Sequence, residues 1–235
     1  MKENDLFHVH TYRCDHADMV NDEEYIKLAL KKGFTGVWFT DHAPFPKDPF
    51  ICRMDYDELD EYISTLKELQ KKYQGIIDVH IGLEIEYFQS YKGYYEELLA
   101  NPNLEILLLG EHISEKPGCG IALGEIYDDT KYMVEGLMQG IESGMFHFVA
   151  HPDRVFRSCP EFGEKEIKWK SEIIELGLKK NVVFEKNRRS LELAPKSYYF
   201  FWENVNVPHI YGADAHTLKN VIEYAKIMKR KNSIF

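Results

Sequence analysis

The stretch Leu6–Ala17, LFHVHTYRCDHA, opens as a short apolar run and ends in a cluster of possible ligands, His8, His10 and His16. A strand sets residues i and i+2 on one face, so His8 and His10 are expected to point together. Neutral imidazole binds zinc, iron, copper and nickel, and two rings on one rigid element make half a metal site. An isolated His-x-His also arises when one ring caps a turn and the other faces water, so the rest of the chain has to decide.

Working outward, apolar runs alternate with amphipathic helical segments to the end of the chain. Asn21 or Asp22 can cap a helix through Lys32, closed by Gly33, with Tyr25, Leu28 and Ala29 at inward spacing. Gly36–His42 (GVWFTDH) reads as a buried strand, and APFPKDPF as a loop. Leu59, Tyr62, Ile63, Leu66 and Leu69 give a 3.6 period over Tyr56–Tyr73. Asp78–Tyr87 is a third strand, followed by a helix near Tyr94–Ala100, and Leu104–Ile113 is a fourth strand. Ser114–Tyr127 holds three glycines and a proline and reads as a loop over a site. A helix over Asp129–Ser143 ends at Gly144, and Phe146–His151 is strand five. Pro160–Lys179 is mostly helical, Val182–Asn187 is strand six, Pro195–Asn204 is a helix, Val207–Asp214 is strand seven, and Thr217–Lys231 is the closing helix.

Strands that alternate with helices imply parallel βαβ units, and nearly continuous apolar strands imply burial on both faces. The expected fold is α/β, a distorted TIM-like (β/α)7 barrel in one domain spanning residues 1–235. An open doubly wound sheet is the competing fold, but no G-x-G-x-x-G follows an early strand.

The length of 235 residues suits one such domain. A net charge of -10 argues against a nucleic-acid backbone as main partner. Cys14, Cys52, Cys119 and Cys159 show no C-x-x-C spacing, which points to reduced thiols rather than a disulfide framework. MKENDLFHVH lacks the apolar core of a signal peptide, and no apolar run approaches the roughly 18 residues of a membrane span. A soluble cytoplasmic protein is expected, with the oligomeric state left open.

Of the ten histidines, His8, His10, His16, His42, His112, His151 and His216 fall at or just beyond the C-terminal ends of expected strands. His80, His147 and His209 fall near strand beginnings. In α/β barrels the C-terminal rim carries chemistry and the N-terminal rim stability, so the last three are assigned structural roles. Glu84, in GLEIEY, and Asp214, in GADAH, join the rim set. Glu86 shares a face with Glu84, and spacing does not choose between them. So many donors exceed a single catalytic site, which implies two or three metals.

The motifs HVHTYRCDHA, FTDHAPFP, GLEIEY, AHPDR and GADAH, in this order, resemble those of the PHP (polymerase and histidinol phosphatase) superfamily, particularly its histidinol-phosphatase branch. RMDYDELDEYI, Arg53–Ile63, resembles the segment after the second motif. The resemblance implies a trinuclear site of zinc, iron or manganese, that is, three divalent metal ions. Carried over, His8, His10, Glu84 and Asp214 would surround one metal, and Glu84 would bridge to a second held by His112 and His151. His16, His42 and His216 would hold the third. Two departures stand out: Glu111 precedes His112 where the branch has a small residue, and Asn187-Arg188-Arg189 replaces a small, polar stretch.

The implied reaction is metal-assisted hydrolysis of a small phosphorylated substrate, a phosphomonoester, with L-histidinol phosphate of histidine biosynthesis as the leading candidate. A phosphotyrosyl protein, a nucleotide or a short oligonucleotide would suit the same metals, and an amidohydrolase barrel shares the opening His-x-His and the strand-tip Asp. Glu84 and Asp214 are the expected catalytic carboxylates. Arg154 and Arg188 are expected to clamp phosphate, a salt bridge being the competing reading for Arg154. Asp41 is expected to orient a ligand imidazole.

Overall fold

The computed structural model describes residues 2, 4–47, 50–118, 120–187, 189 and 205–232. Among the described residues, seven strands form one sheet whose order follows the chain: β1 (Asp5–Val9), β2 (Gly36–His42), β3 (Asp78–Ile85), β4 (Ile106–Leu109), β7 (Phe148–Val149), β8 (Val183–Lys186) and β9 (His209–Tyr211). The helices are α1 (Asp22–Lys32), α2 (Leu59–Lys72), α3 (Lys92–Ala100), α4 (Thr130–Ser143), α5 (Glu164–Lys179) and α6 (Leu218–Asn232). This is the connectivity of a TIM-like (β/α)7 barrel, as the hydrophobic pattern implies. The chain groups into two compact units, Met1–Leu83 with Pro102–Glu105 and Gly212–Phe235, and Glu84–Asn101 with Ile106–Tyr211.

In the first unit β1 pairs with β2 in parallel. The segment that follows β9 returns to β1: Ala213 N donates to Phe7 O (2.9 Å), Ala215 N to His8 O (3.0 Å) and His10 N to Ala215 O (2.9 Å). The strand order thereby ends where it began. Leu6, Phe7, Val9, Val37, Phe39, Ile81 and Leu83 are buried and form the core with Tyr25, Ile26 and Ala29 of α1 and Tyr62, Leu66 and Leu69 of α2. Burying each large apolar chain contributes about 1.5–3 kcal/mol. The Asn21 side chain caps α1 by accepting from Glu23 N, and Gly33 closes it at φ 89. Such a cap contributes only about 1 kcal/mol, so burial of Tyr25, Ile26 and Ala29 dominates the placement of α1.

In the second unit Gly110 N donates to Ile85 O (3.1 Å), and β4–β7, β7–β8 and β8–β9 pair in parallel. Helix α4 crosses β4 so closely that a Cβ on Gly140 would lie 2.6 Å from Leu109 Cδ2. Gly177 of α5 meets the Phe184 ring of β8 in the same way.

The structure differs from the sequence expectation at several points. The fourth strand stops at Leu109 and the fifth covers only Phe148–Val149. A Cβ on Gly110 would overlap the Glu84 carboxylate, so glycine lets the chain pass close against that side chain where the strand ends. Within the expected loop Ser114–Tyr127, β5 (Ser114–Lys116) and β6 (Gly120–Ala122) pair as an antiparallel hairpin, turned by Gly118 at φ 71 and Gly120 at φ 93. The expected helix over Pro195–Asn204 lies outside the described residues, as does Arg188. Among the described residues no helix is long and apolar enough to cross a membrane.

Candidate metal centre

In the first unit, β1 and the turn after it, the end of β2 and the segment after β9 bring six expected ligands together. His10 Nε2 lies 3.0 Å from His8 Nε2 and 3.4 Å from Asp214 Oδ1, which in turn is 3.3 Å from His216 Nδ1. One donor atom from each of His16, His42 and His216 falls within 4.8 Å of the other two. The His10 ring stacks on His216 with centroids 4.0 Å apart and lies 4.4 Å from His42.

Regular strand alternation is not what aligns His8 and His10. The β1–β2 register shifts between Leu6 and Val9, and His8 takes a left-handed backbone at φ 67. Asp214 (φ 45) and His151 (φ 24) share that region, which disfavours side chains with a Cβ by about 1–3 kcal/mol each. The surrounding pairing sustains this strain at three of the expected ligands.

In the second unit β3 and the turns after β4 and β7 bring together Glu84, His112 and His151. Glu84 Oε1 lies 2.7 Å from His151 Nε2 and 3.8 Å from His112 Nε2. Glu86 sits behind instead, 3.0 Å from His112 Nδ1. The two carboxylates that spacing left equivalent thus occupy different places: Glu84 faces two imidazole Nε2 atoms, and Glu86 holds the far side of one ring.

The electrostatics suit neutral ligands. Burial pushes the His216 imidazole down to about 2, with His10 beside it acting in the same direction. Burial likewise lowers His112 to about 4. Metal ligation needs unprotonated imidazole, so these rings are prepared for a cation. The donor set, imidazole nitrogen with carboxylate oxygen, fits zinc, iron or manganese. Glu111, one of the departures from the family pattern, turns toward α4, where it lies beside Ser114 and where a Cβ on Gly136 would overlap it. Burial raises its carboxyl well above the ordinary range.

Arg154 stands near His112, whose protonation its charge opposes. Its Nε is buried and has no hydrogen-bond partner among the described residues, and the expected competing salt bridge is not formed there. Arg189 is exposed. His80 stacks on Trp38 at 3.9 Å and meets Glu105 at 2.6 Å, a structural placement.

Three neighbours escaped the sequence reading. Cys14, whose Sγ donates to Thr11 O, has its sulfur within 4.8 Å of donors on His10 and His216. Arg13 is buried beneath the first strand's turn. Lys170 is fully buried 3.6 Å from Asp153, two residues after His151. Only Lys170 had a readable signal: Glu166, Lys170, Ile173 and Gly177 follow the buried stripe of α5.

Comparison with known proteins turns this geometry into a family assignment. The PHP domain model matches residues 7–195. The chain belongs to the PHP domain family. This PHP domain is 31% identical over 159 residues to a probable histidinol-phosphatase of Deinococcus radiodurans, covering 62% of this chain and 59% of that protein. The chain therefore spans less than two thirds of that relative. Two crystal structures share the PHP domain's fold. A putative histidinol phosphatase from Listeria monocytogenes superposes with TM-score 0.75 at 19% identity, covering 92% of this chain and 97% of that one. Histidinol phosphate phosphatase from Lactococcus lactis, complexed with zinc, L-histidinol and phosphate, gives TM-score 0.74 at 16% identity, covering 97% and 93%.

Proposed function

We propose that residues 1–235 form a single PHP-type phosphoesterase domain that hydrolyses L-histidinol phosphate to L-histidinol and phosphate in the cytoplasm, with divalent cations as cofactors. The observation that carries this reading is the gathering of imidazoles and carboxylates within each unit, Glu84 with His112 and His151 in one, and His8, His10, His16, His42, Asp214 and His216 in the other. The curated relative and the zinc complex from Lactococcus lactis supply the substrate class.

We assign His16, His42 and His216 to one cation, Glu84, His112 and His151 to a second, and His8, His10 and Asp214 to a third. When bound, such cations polarise phosphoryl oxygens and bring the pKa of water toward neutrality. The protein's own groups do the rest. Glu86, 3.0 Å from His112 Nδ1, and Asp41, 3.4 Å from His10 Nδ1, orient ligand rings. Arg154 offers a guanidinium fork to two phosphate oxygens and stabilises charge that builds there as the P–O bond to the alcohol breaks. Arg188 is assigned the same task from the sequence.

The test is kcat/KM on L-histidinol phosphate beside a nucleoside monophosphate, a short oligonucleotide and a phosphotyrosine peptide, with metal content measured on the same sample. Preference for histidinol phosphate, lost on exhaustive chelation and restored by zinc, iron or manganese, is the expected result. Equal or faster turnover of another substrate would overturn the substrate assignment, and activity indifferent to chelation would overturn the metal centre.

A further inference from the structure

Arg13 belongs to no ligand set, yet its side chain is only 1% exposed. Burying a guanidinium is costly unless its donors are satisfied, and here the fork is filled. Nε and Nη2 donate to the two oxygens of Glu61 on α2 (2.7 and 3.0 Å), and Nη1 donates to Asp22 Oδ2 at the start of α1 (2.9 Å). The same Nη1 donates to Thr11 Oγ1 at 3.1 Å. The cation also lies over the Tyr12 ring, 4.5 Å from its centroid.

From Thr11 the chain of hydrogen bonds runs inward. The Thr11 hydroxyl, accepting from Arg13, donates to Asp41 Oδ2, and Thr11 N donates to the same oxygen at 3.0 Å. The other oxygen, Oδ1, accepts from His42 N (2.8 Å) and faces His10 Nδ1 at 3.4 Å. The sense of donation runs from guanidinium to hydroxyl and from hydroxyl to carboxylate, and the carboxylate then stands beside His10 Nδ1 as a charged neighbour at 3.4 Å rather than as a hydrogen-bond acceptor. A carboxylate beside Nδ1 favours the tautomer with its proton on that nitrogen, which leaves Nε2 free to serve as ligand. His10 Nε2 is the atom that meets His8 and Asp214.

We infer that Arg13 is a positioning residue: through Thr11 and Asp41 it sets the orientation of the His10 ring, and hence the affinity of the His8, His10 and Asp214 group for its divalent cation. This rests on the metal-centre reading above. Arg13 touches neither substrate nor reacting atoms. It ties α1 and α2 to the turn after β1 and, through Thr11, to Asp41 at the end of β2, so the segments that carry His10 and His42 share one anchor. Thr11 is the link that separates this role from simple packing, because removing its hydroxyl leaves both ion pairs of Arg13 in place.

The experiment measures zinc affinity of metal-free protein by competition with a chromophoric chelator, for wild type, Thr11→Val, Arg13→Met, Asp41→Asn and the Thr11→Val/Asp41→Asn double variant. Thr11→Val is expected to weaken one bound zinc about 10–100-fold, the range found when partners of ligand imidazoles are removed. Arg13→Met should weaken it at least as much, and the double variant should bind no worse than Asp41→Asn alone, since the residues act in series. Should Arg13→Met fail to fold, Thr11→Val decides. Folded Thr11→Val with wild-type affinity, or losses that multiply in the double variant, overturns the proposal. Wild-type protein that binds no zinc, iron or manganese would overturn the metal-centre reading and this inference with it.

Discussion

His151 Nε2 lies 2.7 Å from Glu84 Oε1, although Glu84 sits on β3 and His151 just beyond β7, strands separated by β4 in the sheet order. Both are buried, and His112 Nε2 approaches the same oxygen at 3.8 Å, whereas Glu86 meets only the Nδ1 side of His112. Glu84→Gln should therefore abolish phosphatase activity and lower metal content. Glu86→Gln should keep the metals and lose about 10–100-fold in kcat/KM, as for other groups that orient a ligand ring. Equal effects of the two substitutions on metal content would contradict the separate places assigned to them.

His16, His42 and His216 offer donor atoms within 4.8 Å of one another, the set assigned above to one cation. His16→Ala is expected to remove one metal ion per chain by elemental analysis while the Glu84, His112 and His151 group stays occupied. Loss of every ion together would show that the division into sets is wrong.

Among the described residues the buried Nε of Arg154 has no hydrogen-bond partner to lose, so Arg154→Ala should leave thermal stability near wild type. A charge-assisted hydrogen bond contributes about 1.5–3 kcal/mol, or roughly 10–100-fold in binding. We expect a rise of that order in KM and in the inhibition constant of inorganic phosphate, with Arg154→Lys intermediate because lysine lacks the bidentate fork. An unchanged phosphate inhibition constant would remove Arg154 from the site.

Burial pushes Lys170 down to about 8 from its ordinary 10.5, with Asp153 opposing the shift. Between those values the unfolded chain holds the proton that the folded protein has released, so stability rises with pH across the window and the penalty is fully present below it. Urea unfolding of chelator-treated protein should show this rise between pH 8 and 10.5. Lys170→Met paired with Asp153→Asn should flatten it, and an unchanged slope in the double variant would assign the rise to other groups.

The local parts of the fold were legible because their causes are local. The stripe of Tyr62, Ile63, Leu66 and Leu69 in α2, the Asn21 cap and Gly33 stop of α1, and the apolar run of β2 each follow from a repeat or a terminus that lies within a few residues. The hairpin β5–β6 was read as loop because its strands are three residues each, too short to show alternation.

The sequence by itself determined the alternation of strands and helices, the gathering of histidines at strand ends and, through the order of motifs, the family. The motifs already put Glu84 with His112 and His151; tertiary structure alone decided that Glu86 lies against His112 Nδ1, that His8 joins His10 through a bulge at φ 67 rather than regular pleating, and that Lys170 is buried against Asp153. It also decided that Arg13 reaches Asp41, the neighbour of His10, by way of the Thr11 hydroxyl. Hydrophobic period and capping act over a turn or two of chain. The contacts between Thr11 and Asp41, or between Glu84 and His151, join residues far apart in sequence, and only the packing of strands and helices sets their distances.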